Sequence, residues 1–446
     1  MKKLSILFFS LFFISISSQV NVKYQKPSKE ILNLVEFERP PSIVYDENKN
    51  FILFLYRDNY KSITELSVKE LRLGGLRIDP KTNIGSRVTY YNNVKIRNLK
   101  NQKSEITQVK GLPKNPKLSN ISWSPDQKRI ALTNTTETGV ELWVLELENG
   151  SVTKLTEPNL NSNIGSVINW FSDSENMLVK MISRNRKPLI DTNKIVPDGP
   201  TISTNFGEKA QNRTYQDLLK NKFDEHNFEQ LSTSTIYKVS IDGSVKKWMD
   251  DGMYRTISFS PNGDYVMISK INKPFSYLVT YSRFPTETNV YTKDGDFVSN
   301  LQKVPLIEEL PKGFMSVRTG KRSFSWRPDK GASLTYVTAL DSGDPSKKVD
   351  FRDEVYELNY PFSGKGKYIL KTINRFSGID WGTKDMAIAY DTWWNTRNRK
   401  SYVFNPSNPN IKPKIISDRN YQETYSDPGN FLRSRNEFNR SVLKMH

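Results

Sequence analysis

The chain contains no cysteine and only two histidines, His226 and His446, in 446 residues. Without thiols there is no disulfide framework, no thiolate zinc or iron–sulfur site and no cysteine nucleophile. The scarcity of imidazole removes the usual general base from most hydrolytic schemes, and it leaves only carboxylates to hold a metal. Beyond the first 18 residues no apolar run approaches the ~20 residues that a membrane-spanning helix needs. Apolar residues make up 36% of the chain, which is low for a globular protein. Disorder is nevertheless not the expectation, because 23 Phe, 21 Tyr and 8 Trp can fill a core.

Lys and Arg number 66 against 48 Asp and Glu, a formal charge of +18. A surface of that sign attracts nucleic acid, anionic lipid or acidic peptides. Nucleic-acid binding would place the cations in blocks or helical stripes. Here they are scattered apart from short clusters such as Arg397-Asn398-Arg399-Lys400, so no nucleic-acid partner is expected. Residues 1–18 read Met-Lys-Lys, then LSILFFSLFFISIS, then a serine before Gln19. A basic start, an apolar stretch and small residues before a cut fit a secretory signal peptide. The expected product is periplasmic or extracellular and has no integral membrane segment.

One pattern recurs along the remainder: an alternating apolar strand ending in an aromatic, a polar turn, and a second apolar strand. It reads ISWSPDQKRIAL at 121–132, INWFSDSENMLV at 168–179 and ISFSPNGDYVMI at 257–268. It returns as FSWRPDKGASLTYV at 324–337 and IDWGTKDMAIAY at 379–390, with a degenerate copy, IVYDENKNFILFLY, at 43–56. Pro fixes φ at such a turn, Asp or Asn bonds the backbone two residues on, and Gly supplies a left-handed position. Each copy is followed by a second hairpin, as in GVELWVLELENGSVTKLT at 139–156. Two hairpins make a four-stranded blade, so the chain predicts an all-β fold, a β-propeller. Six blades are visible within 19–446. The tail, ending in RSVLKMH, reads as the first strand of another, which makes the ring an incomplete seven-bladed one. Residues 184–230 form the largest insertion: a loop, then a short helix over roughly Tyr215–Gln230.

The catalytic search is negative. No GxSxG elbow exists; Gly331-Ala332-Ser333 lies in a repeat hairpin, where a strand-to-helix turn would be needed. His226 falls on the insertion helix as a surface residue, and His446 is terminal. Asp341-Ser342-Gly343-Asp344 offers oxygens to calcium but reads as a solvated turn. The repeat tryptophans belong to packing between blades. Trp393-Trp394 differs, since adjacent strand residues face opposite ways and one of the two can be open to a partner; packing in the core or at the rim is the expectation for the pair. No catalytic residue, metal or cofactor is assigned.

Three longer stretches carry a resemblance. They are VPDGPTISTNFGEKAQNRTYQDLLKNKFDEHNFE, KPFSYLVTYSRFP at 273–285, and PKGFMSVRTGKRSFSWRPDKGASLTYVTALDSGDP at 311–345. They resemble the prolyl oligopeptidase family of serine peptidases, and within it the glutamyl endopeptidase branch. The similarity covers approximately residues 30–442. The resemblance implies an amino-terminal propeller paired with a carboxy-terminal α/β-hydrolase domain that holds the Ser, Asp and His triad. No residue here maps to that triad, so the hydrolase domain is expected to be encoded separately or downstream. The chain itself is expected to gate or bind peptide without hydrolysing it. Preference for Glu needs a cation at the substrate carboxylate. Arg283, Arg318 and Arg322 lie in the most family-like loops and are the candidate substrate-binding residues. The competing expectation is a free-standing envelope propeller that binds acidic peptides or glycans.

Overall fold

The computed structural model describes residues 25–445 except 102, 192, 193, 195, 197, 198, 201 and 203–214. The signal at 1–18 and much of the front half of the 184–230 insertion lie outside the described residues.

Antiparallel sheets follow one another along the chain in a propeller-type arrangement. Four have four strands each, spanning 42–108, 118–154, 322–372 and 375–420. The third and fourth repeats are joined into one seven-stranded sheet by the long strand Val245–Phe259. That strand closes the third repeat at one end and opens the fourth at the other, with a register shift between Tyr254 and Thr256. The sequence had suggested two separate strands here.

The middle strands of the sheets are buried on both faces. In Arg129–Thr135, for example, Ile130 and Leu132 pack toward the first sheet while Ala131 packs toward the third. Such strands read as continuous apolar runs rather than strict alternation. Five apolar cores result, one between each consecutive pair of the six repeats. The repeat tryptophans Trp170, Trp326 and Trp381 are buried in them. Two tie neighbouring repeats directly: Trp170 Nε1 donates to the Ser122 carbonyl at 3.1 Å and Trp326 Nε1 to the Ser258 carbonyl at 3.0 Å. Among the described residues no such core joins the sixth repeat to the first. Ile43 and Tyr45 are accordingly exposed on the first repeat, and Ile416 on the sixth.

The tight turns and the long loops emerge from opposite ends of the strands. At the turn end, Gln127 and Ser174 occupy the left-handed position, and Ser124 and Phe171 accept the amide bond that closes each turn. At the loop end stand the insertions. They include a small three-stranded sheet within 71–85 and the helix Lys222–Ser232. The helix starts seven residues later than its apolar spacing suggests, because Asn221 caps it by accepting from Asp224 N. Leu219 precedes the helix and still enters the satellite core that Leu73, Phe228, Phe275 and Phe284 build at this end.

The tail differs from expectation. Residues 441–443 pair backward with Arg433–Arg435 to form a hairpin. Its turn, Asn436–Asn439, repeats the geometry of the other tight turns: Asn439 has φ 55°, and Asn436 Oδ1 accepts from Phe438 N and Arg440 N. The hairpin lies across the turn end and touches five repeats. Arg433 pairs with Asp380 at 2.6 Å and Arg435 with Glu47. Asn436 donates to the Pro328 carbonyl and Asn439 to that of Pro125. Arg440 reaches the Phe259 and Ser260 carbonyls.

Candidate functional site

The stretch 311–345 folds around a buried charge cluster between the fifth and sixth repeats. Asp353 opens one strand and Arg375 another, while Asp341 follows the strand Ser333–Ala339. Arg375 donates to Asp341 Oδ2 at 2.6 Å and to Asp353 Oδ1 at 3.1 Å, and Arg352 reaches Asp341 at 2.8 Å. Arg322 lies 2.5 Å from Asp353, but off hydrogen-bond geometry, so that pair is a charge contact. Three guanidinium groups thus surround two carboxylates that are fully buried. Arg375 Nε also donates to the Met315 carbonyl at 2.8 Å and fixes the loop 305–321 against the sheets. Asp341 is therefore neither a solvated turn nor open to calcium: its oxygens already accept from Arg352, Arg375 and Gly343 N.

A second cluster lies in the same interface. Arg327 is buried, pairs with Asp329 at 2.6 Å and Glu357 at 3.0 Å, and stacks 3.9 Å from the Trp381 ring. Burial pushes the Glu357 carboxyl up, but Lys330, Arg327 and Ser333 outweigh it and hold the group below the usual carboxylate range. Ser333 Oγ donates to Glu357 at 2.7 Å. His226 stands on the helix with Nε2 3.0 Å from the Pro188 carbonyl. The arrangement cements two sheets and presents no activated nucleophile.

The three arginines singled out by sequence occupy different settings. Arg322 belongs to the buried cluster. Arg318 is half-buried and donates to Gln302 Oε1 at 2.7 Å, to the Thr319 carbonyl at 3.0 Å and to the Lys321 carbonyl. Burial and then the charge of Arg322 lower its pKa, and no carboxylate pairs with it among the described residues. Arg283 sits in the 3-10 turn Tyr281–Arg283 with its guanidinium 5.3 Å from the Tyr215 ring centroid. Its carbonyl accepts from Ile307 N at 3.0 Å, at the start of the loop that carries Arg318. The fold therefore places Arg318 beside Arg322 and brings the turn of Arg283 against their loop.

Nearby, Trp394 is 41% exposed and Phe314 71% exposed, with ring centroids 5.2 Å apart. Arg397 covers the Trp394 ring at 3.7 Å, and Arg352 covers that of Trp393 at 4.0 Å. The exposed member of the tryptophan pair is Trp394.

These features define a propeller-type β protein with a loop-rich end and a cemented junction between its fifth and sixth repeats. No family model matches the chain. A probable chloroplastic glutamyl endopeptidase of Oryza sativa subsp. japonica is 33% identical, covering 96% of this chain and 47% of the relative. The Arabidopsis thaliana protein of the same description is 31% identical, covering 95% and 45%. The chain is a homologue of the glutamyl-endopeptidase-like proteins of the prolyl oligopeptidase family, and it spans about half the length of the curated relatives it matches. Among solved structures, the acylaminoacyl peptidase of Pyrococcus horikoshii overlaps 86% of this chain and 47% of its own, at TM-score 0.40 and 15% identity. No helix among the described residues is long and apolar enough to cross a membrane.

Proposed function

We propose that this chain is the exported propeller portion of a glutamyl-endopeptidase-like serine peptidase. It binds peptide and controls its access to a hydrolase domain, and it does not cleave peptide bonds by itself. The observation that carries the reading is the alignment of nearly the whole chain with less than half of each relative. The chemistry supports it: Ser333, the serine of the nearest elbow-like sequence, donates to a carboxylate rather than to an imidazole, and a serine without a base is not activated. The outer faces of the first and sixth repeats, which no core joins among the described residues, suit a further sheet between them, which would make a seven-bladed ring. Arg318, with donors near a loop surface and no carboxylate of its own, is the residue assigned to the peptide carboxylate, with Arg283 on the adjoining turn. Arg322, the third candidate, lies near Arg318 and faces Asp353.

The test uses the purified chain and a fluorescent Glu-containing peptide. Binding without cleavage is expected, and Arg318→Ala should weaken binding at least tenfold. Cleavage that a serine-directed fluorophosphonate abolishes would overturn the non-catalytic half of the proposal. Unchanged binding in the variant would remove Arg318 from it.

A further inference from the structure

The hairpin 433–443 roofs two adjoining cavities of about 330 and 450 Å³, and Arg440 lines both. Their charged walls are unbalanced. Arg433, Arg435 and Arg440 face only Glu47 and Asp380, and each of those carboxylates is already paired, Asp380 with Arg433 and Glu47 with Arg435. Arg440 has no carboxylate partner among the described residues. Its guanidinium reaches only the Phe259 and Ser260 carbonyls, through one nitrogen, at 3.4 Å each. That is the outer limit of a hydrogen bond and leaves most of a five-donor fork unused. Burial lowers the pKa of Arg440. Burial, and then the charge of Arg440, lower that of Arg435.

The walls also hold spare hydroxyls. Ser122, Ser172 and Ser258 line the cavities, and their side chains have no protein partner among the described residues. A half-buried guanidinium with free donors, an excess of positive charge and several hydroxyls is the chemistry that binds a tetrahedral or planar oxyanion. The hairpin contributes the arginine, and the repeats contribute the serines.

We propose that these cavities form an oxyanion site in which Arg440 is the anchoring donor and the hydroxyls of Ser122, Ser172 and Ser258 complete the contacts. The ligand is a free inorganic oxyanion or an anionic group carried on a small molecule or peptide. The site is at the turn end of the strands, away from Arg318, and does not depend on the peptidase reading.

The experiment measures the thermal midpoint of the full chain with sodium phosphate, sodium sulfate or sodium chloride at matched ionic strength. A saturable rise with phosphate and sulfate, absent with chloride, is expected. Arg440→Gln should raise the half-saturating concentration at least tenfold, and Arg440→Lys should keep part of the response. Calorimetric competition by an acetylated Glu-containing peptide identifies the source: displacement of phosphate assigns a carried carboxylate, and its absence assigns a free oxyanion. Equal responses to chloride, or an unaltered response in Arg440→Gln, overturn the proposal. Where that variant does not fold, crystals of the wild-type chain soaked in tungstate decide the matter. Density within hydrogen-bonding distance of Arg440 supports the site, and tungstate bound only elsewhere overturns it.

Discussion

Lys180 lies in the strand Asn176–Ile182, two residues from Leu178 on the face turned toward the fourth repeat. It is 2% exposed, and its Nζ donates only to the Ile164 carbonyl. Burial alone pulls its pKa down to about 7, against roughly 10.4 in an unfolded chain. Between those two values the unfolded chain binds a proton that the folded chain does not. Unfolding then takes up a proton, so raising the pH disfavours it and stability climbs across the window. Below pH 7 the penalty is complete. At about 1.4 kcal/mol per pH unit it amounts to something on the order of 4 kcal/mol.

Lys180→Met keeps the length of the side chain and removes the charge, but it strands the Ile164 carbonyl at a cost of roughly 1–3 kcal/mol. The two effects have different pH dependence. At pH 6 the variant should be the more stable by about 2 kcal/mol. At pH 10 the folded amine is neutral and the unfolded one only partly charged, so the penalty has shrunk to below about 1 kcal/mol; the variant should then be the less stable by about 1 kcal/mol, and the curves cross near roughly pH 9. Urea denaturation followed by tryptophan fluorescence at pH 6 to 10 gives both curves. Tyrosines whose pKa burial raises, such as Tyr277 at about 12, affect both proteins alike and cancel in the difference. Parallel curves would refute the reasoning, because they would mean that Lys180 carries the same charge folded and unfolded.

Two further substitutions test the joints between repeats. Asp353→Asn leaves Arg322 and Arg375 without their shared counter-charge. Chemical denaturation should record a loss of about 3–5 kcal/mol, the usual cost of breaking a buried pair from one side. Trp170→Phe and Trp326→Phe each remove an indole donor from a carbonyl of the preceding repeat. The two should cost similar amounts, roughly 1–3 kcal/mol, in the same assay. A large difference between them would show that the repeats are not held by equivalent bonds.

The repeat hairpins were legible because their signals are local: a Pro, Asp, Asn or Gly turn between apolar strands. What escaped sequence reasoning depends on distance along the chain. Arg322 reads as a surface or substrate-binding cation until the fold brings it to Asp353, and Asp341-Ser342-Gly343-Asp344 reads as a solvated turn until Arg352 and Arg375 close on it. Lys180 sits within an apolar run, where a lysine suggests a solvent-facing position. A sheet with cores on both faces has no such position to offer. The turn Asn436–Asn439 was missed for the opposite reason. It lacks both Pro and Gly, and its only signal is an Asn at the capping position and another at the left-handed one, where Asn is well tolerated.

The hairpin itself should be the least stable element at the turn end. Its strand Arg433–Arg435 is exposed along its length, and Val442 and Leu443 are its buried apolar side chains. Fully burying two such side chains contributes roughly 3–6 kcal/mol. Ordering the turn and both strands costs conformational entropy at every residue fixed, so two buried side chains leave the hairpin little net stability of its own. The pair Arg433–Asp380 adds little, since the arginine is 54% exposed. Local opening of 433–443 should therefore occur far more often than global unfolding. Hydrogen exchange should show its amides at least 100-fold less protected than those of Arg129–Thr135, which lies between two cores. Phosphate, if Arg440 binds it, should slow exchange in the hairpin and leave that strand unchanged. Equal protection in the two segments without any anion would mean that the hairpin is held by contacts stronger than these, and the account of its attachment would fail.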